Sequence, residues 1–176
     1  MADWRRPAGD CEWGCLPVPL SQHLIGVISD THGLLRPQAA QALRGVELII
    51  HAGDIGHPRV LEALEEIAPV KAVRGNTDRG EWARRLPLSL LLEVGGARLS
   101  VLHDLQGLDQ SLPSRPQFQA VIYGHSHQPR LECRDGVLYL NPGSAGPRRF
   151  TSPVTMALLR VQGGHLDAEI VNLLRP

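Results

Sequence analysis

A chain of 176 residues and 19.2 kDa, 43% of them hydrophobic, holds enough apolar material for one globular domain with a buried core. Its 18 Lys plus Arg balance 18 Asp plus Glu and aromatics make up only 4%, which excludes the basic footprint and stacking surfaces of a dedicated nucleic-acid binder. Cys11, Cys15 and Cys133 imply no disulfide framework, and no apolar run reaches signal-peptide or membrane-spanning length, so a soluble, unexported, cytoplasmic protein is expected.

Residues 1–22 mix Pro7, Pro17 and Pro19 with Gly9 and Gly14 and show neither helical nor strand period, the pattern of a flexible extension ahead of a domain over 23–176. Trp4 and Trp13 within it offer a docking point for a partner or a second copy of the chain. Residues 24–29 read as a buried strand that runs directly into Asp30-Thr31-His32-Gly33. Pro37 suits the first turn of a helix continuing to Arg44 and stopped by Gly45. The pattern then repeats. A second strand, 46–50, ends in His51-Ala52-Gly53-Asp54; a helix over 58–67 carries Val60, Leu61, Leu64 and Ile67 on one face; a third strand, 70–74, ends in Gly75-Asn76-Thr77-Asp78. Such alternation predicts a parallel sheet with right-handed crossovers, which receives ligands at the carboxyl ends of its strands.

Beyond Pro87 the period becomes that of strands. Segments 89–94 and 97–102 flank the hairpin signal Gly95-Gly96, and the second leads into His103-Asp104. Residues 106–117 carry a weak helix or loop signal. Strand 120–123 enters Gly124-His125-Ser126-His127, strand 137–140 enters Asn141-Pro142-Gly143-Ser144, and strands 154–161 and 166–173, joined through Gly163-Gly164, close the domain.

Asp30, His32, Asp54, Asn76, His103, His125 and His127 thus all stand at ends of strands, where one sheet edge can present them together as the ligand shell of a two-metal site. Oxygen and imidazole ligands without thiolate suit Mn, Fe, Co, Ni or Zn. Two ions about 3.5–4 Å apart, bridged by a carboxylate, can bind phosphate oxygens, acidify a shared water and stabilise in-line displacement. Asp54 takes the central, bridging position in this reading. His51 reads as a supporting or packing residue, His23, His57 and His165 as surface residues, and Cys133 as packed or capping a strand. The 141–144 segment is either a tight turn or a loop that positions phosphate or a ligand imidazole, and Arg148-Arg149 either a solvated edge or an attractor of anions.

The pattern Asp30-Thr31-His32, Gly53-Asp54, Gly75-Asn76, His103, Gly124-His125-Ser126-His127, followed by Asn141-Pro142-Gly143-Ser144, resembles the calcineurin-like metallophosphoesterases, and among them the small single-domain phosphodiesterases of the YfcE type. The resemblance covers roughly residues 24–173. It implies an α/β fold: a metallophosphoesterase-like two-sheet β-sandwich flanked by helices in αββα layers. It also implies that Asp30, His32, Asp54 and His127 hold a first ion and Asp54, Asn76, His103 and His125 a second, with Asp54, Asn76, His103 and Asp30 at the centre of catalysis. The expected cofactors are two divalent ions, manganese foremost, with nickel, cobalt, iron or zinc as alternatives. The expected reaction is hydrolysis of a small phosphoester, most readily a diester, by a hydroxide bridging the ions at Asp54, with a homo-oligomer as one permitted arrangement.

Two positions depart from the family pattern. Thr77, followed by Asp78, stands where many larger members have a His, and Asp104 stands where small members usually have Gly, placing a further carboxylate beside the metals to bond a ligand imidazole or alter access. The rival expectation is a non-catalytic scaffold of the same fold that binds partner proteins, as the retromer subunit does; such a scaffold has no need of all seven ligands.

Overall fold

The computed structural model describes residues 21–107, 118–148 and 152–174. The expected extension therefore lies outside the described residues as far as residue 20, and Gln22 already opens the first strand. Two five-stranded sheets are built. In the first, β1 (Gln22–Ile28) pairs in parallel with β2 (Leu48–His51), which pairs in parallel with β3 (Val70–Ala72), as the alternating pattern predicts. The last two strands, β9 (Thr155–Gln162) and β10 (His165–Asn172), extend this sheet antiparallel beyond β1, giving the order β10-β9-β1-β2-β3.

The second sheet has the order β4-β5-β6-β8-β7, from β4 (Ser89–Val94), β5 (Ala97–Leu102), β6 (Ala120–Ile122), β7 (Arg130–Arg134) and β8 (Val137–Asn141). The β4–β5 arms coincide with the segments marked by Gly95-Gly96. β7 escapes the sequence pattern because four of its five side chains are exposed and Arg130, Glu132 and Arg134 pair with one another along this edge strand. Cys133 lies on it, exposed, rather than packed as expected.

The sheets share one core. Ile25, Val27 and Ile50 of the first sheet meet Leu99, Val101, Ile122 and Leu140 of the second, all fully buried. The opposite face of the first sheet is covered by α1 (Pro37–Ala42) and α2 (Pro58–Glu65), through Leu43, Val60 and Leu64. Both helices start with proline at the first turn, and α2 is capped by His57, whose Nδ1 accepts from the Arg59 amide at 3.2 Å. Leu43 packs against Gly26 of β1, where a Cβ would meet the Leu43 Cδ2 methyl and force that side chain to shift. A short helix, α3 (Glu81–Arg84), which the sequence pattern does not mark, follows β3.

Over the second sheet, Leu102, Val121, Tyr123 and Val137 form a smaller cluster beside the 3-10 turn Leu105–Gly107; the remainder of the weak helical signal, 108–117, lies outside the described residues. No helix among the described residues is long and apolar enough to cross a membrane.

Candidate metal centre

The carboxyl ends of β1, β2 and β3 in one sheet and of β5, β6 and β8 in the other meet along a seam, and backbone hydrogen bonds carry the strand pairing into the loops. Ala52 N donates to Ile28 O at 2.9 Å, Asp30 N to Gly53 O at 3.0 Å and His32 N to Asp54 O at 3.0 Å, so the first two loops advance in step. Gly124 N donates to His103 O at 3.0 Å, which joins the loops after β5 and β6. Across the seam, His125 N donates to Asp30 Oδ2 at 3.2 Å and His103 Nδ1 donates to Ala52 O at 2.7 Å.

These contacts bring all seven predicted ligands to one place. Two overlapping groups have their ligand atoms within 4.8 Å of one another: Asp30, His32 and His127, and Asp30, Asp54 and His103. Asp30 is common to both, and Asp54 belongs to the second. Asn76 joins through its side-chain oxygen, which lies 2.9 Å from His103 Nε2 and 3.1 Å from His125 Nδ1. Asn76 and His125 are exposed, whereas Asp30, Asp54 and His103 are buried, so the cluster has a closed floor and an open mouth.

Five of the seven, Asp30 (φ 54°), His32 (φ 45°), Asp54 (φ 53°), His125 (φ 67°) and His127 (φ 58°), adopt left-handed backbone. That conformation costs a non-glycine residue about 1–2 kcal/mol, less for the short polar Asp than for most. Such strain, held in place by surrounding structure, is characteristic of functional loops. Glycines leave the room. A Cβ at Gly75 would strike the Asp54 backbone and carboxylate, and one at Gly124 would strike Ser29 Oγ and Asp30.

The polar groups are oriented as metal ligands need to be. Asp30 Oδ2 accepts from Ser29 Oγ at 2.7 Å and from the His125 amide, while Asp30 Oδ1 is buried with no hydrogen-bond partner although His127 Nε2 lies 3.1 Å away. The two atoms point at common space rather than at each other. His103 is fixed in the same way: its Nδ1–H is donated to the Ala52 carbonyl, which places Nε2 beside Asn76 Oδ1 at 2.9 Å and Asp54 Oδ1 at 3.5 Å. Oxygen and imidazole atoms converging in this way are satisfied by a proton on Nε2 or by a metal cation. Burial by itself lowers the His103 pKa, yet the Asp54 contact and the Ala52 carbonyl outweigh it and raise the value above the ordinary imidazole. Burial acts to raise the Asp54 pKa, but His103 and the Thr77 amide, which donates to Asp54 Oδ1 at 2.8 Å, hold it well below the usual carboxylate range. The buried donor set therefore fits divalent cations.

Residues outside the predicted set hold the loops. Asp78, buried, accepts from Gly56 N and Gly75 N, both at 2.8 Å, and so ties the loop after β2 to the loop after β3. Asn141 Nδ2 donates to Gly124 O at 2.7 Å and to Ser126 Oγ at 3.1 Å, and its Oδ1 accepts from Gly143 N at 2.9 Å. The 141–144 segment is thus both a turn and the support of the two-histidine loop; Ser144 Oγ adds a bond to Asp30 O at 2.9 Å. The sequence offered Asn141 as a motif but gave no periodic signal for Asp78 or Ser29. His51 lies buried behind the site, pairing with Thr31 Oγ1 at 2.9 Å. Asp104 Oδ2 is 3.9 Å from His125 Nε2, and its Oδ1 accepts from the Gln106 amide at 3.0 Å.

Two cavities flank the open mouth and meet at Asp104. One, about 570 Å³, runs past Asn76 and His103 toward α3; the other, about 560 Å³, runs past His125 and Ser126 toward Arg130.

The profile of the calcineurin-like phosphoesterase superfamily domain matches residues 24–164. The chain belongs to that superfamily. Among its relatives, a probable metallophosphoesterase of Methanothermobacter thermautotrophicus is 42% identical over 160 residues, covering 84% of this chain and 91% of the relative. Phosphodiesterase YfcE of Escherichia coli is 29% identical over 157 residues, covering 74% of this chain and 84% of that protein. The two-sheet fold recurs in Vacuolar Protein Sorting 29 of Cryptosporidium parvum, with a TM-score of 0.69 at 19% identity over 85% of this chain and 97% of that one. This superfamily member is accordingly a hydrolase-family chain of the expected α/β sandwich fold, with side-chain groups at the seam that could hold a metal ion.

Proposed function

We propose that the protein is a metal-dependent phosphodiesterase acting on a small phosphoester at a dinuclear centre held by Asp30, His32, Asp54, Asn76, His103, His125 and His127. The observation that carries this reading is the convergence of oxygen and imidazole atoms above the buried floor of Asp30, Asp54 and His103: Asp30 Oδ1 and His127 Nε2 on one side and His103 Nε2, Asp54 Oδ1 and Asn76 Oδ1 on the other. Two divalent ions bound there, manganese foremost with nickel, cobalt, iron or zinc as alternatives, would supply Lewis acidity toward phosphoryl oxygens and activate the attacking water.

The chain's own residues prepare that chemistry. Asp54 stays ionised because His103 and the Thr77 amide face it, and beside Asp30 and His103 it would hold a divalent ion as an anionic ligand, with Asp30 shared between the two groups. Ser29 and the His125 amide occupy one oxygen of Asp30 and leave the other free to ligate. Asn76 and His125, at the exposed mouth, face incoming substrate. Cavities on both sides of the mouth favour a diester, since each ester arm then has a wall to lie against.

The scaffold reading draws support from the fold shared with Vacuolar Protein Sorting 29. A complete, strained and oriented ligand set favours the enzyme, because a partner-binding surface has no use for it. Asp54→Asn keeps the side-chain shape and tolerates the left-handed backbone but removes the negative charge. Hydrolysis of bis(4-nitrophenyl) phosphate by this variant is expected to drop to the uncatalysed background with the unfolding transition preserved; turnover near that of the parent chain contradicts the assignment.

A further inference from the structure

The 570 Å³ cavity that opens from Asn76 and His103 is lined on its far side by Arg74, Arg79 and Arg84, from the loop after β3 and from α3. None of the three makes an ion pair among the described residues, whereas Arg130 and Arg134 on β7 and Arg160 on β9 each engage a carboxylate. Two acidic residues line the same cavity, Asp78, which accepts two backbone amides, and Asp104, whose Oδ1 accepts the Gln106 amide. Arg79 spends one donor on the Asp78 carbonyl, 3.4 Å from its Nη1. Three arginines against two carboxylates leave this lining net cationic in a chain whose formal charge is zero, and it adjoins Asn76 and His103 of the candidate metal centre.

Arginine, unlike lysine, offers a planar fork of donors that matches the oxygens of a phosphate in pairs. A simple diester places one negative charge at the metals and leaves these arginines without a counterpart. We propose that this cavity is an anion subsite that selects phosphodiesters in which one ester arm carries a second phosphate group. The proposal rests on the phosphodiesterase reading above for its substrate class, but the subsite itself is a property of Arg74, Arg79 and Arg84.

The test uses a matched pair of substrates, the 4-nitrophenyl ester of thymidine 5′-phosphate with and without a 3′-phosphate, and a matched pair of ligands, thymidine 3′,5′-bisphosphate and thymidine 5′-monophosphate. A charge-assisted contact of ordinary strength predicts that the full chain with manganese prefers the 3′-phosphorylated ester by roughly tenfold in kcat/KM, mainly through KM. Calorimetric titration is expected to show a similar preference for the bisphosphate. Both preferences shrink in Arg84→Gln, an exposed helix position, and vanish in the double variant Arg79→Gln, Arg84→Gln. Equal affinity for the two ligands, or preferences that survive both variants, overturn the subsite even where both esters are hydrolysed. Tighter binding of the bisphosphate with no hydrolysis of either ester keeps the subsite and overturns the proposed activity.

Discussion

The imidazole of His51 sits at the end of β2, fully buried, with Thr31 Oγ1 as its one hydrogen-bond partner among the described residues. Burial lowers its pKa from the ordinary 6.5 to about 4, against the smaller opposing pull of Asp30 and Asp78. In the unfolded chain it binds a proton near pH 6.5, and in the folded chain only near pH 4, so between those values the unfolded state carries more protons. Its contribution to stability is fully present above pH 6.5 and is lost as the pH falls toward 4, about 3 kcal/mol in all. Denaturant unfolding at pH 7 and at pH 4.5 should therefore differ by less in His51→Asn than in the parent chain; an identical difference in both would remove His51 as the cause. In sequence this histidine stands apart from the seven predicted ligands as a supporting or packing residue, and its burial against Thr31 agrees. What separates them is neighbourhood: Asp54 and His103 face each other, while His51 faces a hydroxyl and the core. The left-handed backbone of Asp30, His32, Asp54, His125 and His127 was invisible in sequence, because Asp and His adopt that conformation only where surrounding bonds hold them there.

Strands and their following loops act as units. Apolar runs made β1, β2, β3, β5, β6 and β8 readable, and each delivers a polar loop to the seam, which is why the residues that meet there could be named in chain order from the sequence. β7 was unreadable because an edge strand exposed on both faces has no apolar period, and α3 because four residues are too few to show one. Asp78 belongs to this scale, since its carboxylate joins two loops that come from different strands. Asp78→Ala strands two backbone amides in a site only 3% exposed, and the expected cost is about 2–4 kcal/mol of stability, with weakened divalent-ion affinity as the loop carrying Asn76 loosens. Chemical unfolding and calorimetric manganese titration measure the two effects. A stable variant that binds manganese as tightly as the parent would show that the loops hold their positions without this clamp.

At the scale of the molecule, two sheets share one apolar core and meet with the carboxyl ends of six strands along one seam. That arrangement explains how a neutral chain with few aromatics concentrates strained, oriented polar groups at one edge while remaining apolar within. The family pattern foretold the two-sheet architecture, but periodicity alone could not assign strands to sheets: β9 and β10 join β1 from more than a hundred residues away. The cavities and their arginines were likewise beyond sequence reading, since Arg74, Arg79 and Arg84 are ordinary surface residues until α3 folds against the loop after β3. The claim on which the rest depends is that the seam is a metal-dependent phosphodiesterase centre. The most direct measurement strips the protein of metal, adds back manganese, nickel, cobalt, zinc or magnesium singly, and follows bis(4-nitrophenyl) phosphate and 4-nitrophenyl phosphate. Restored turnover of the diester with manganese, exceeding that of the monoester, is the predicted result; no turnover of either ester with any ion, in protein that still unfolds cooperatively, would contradict it.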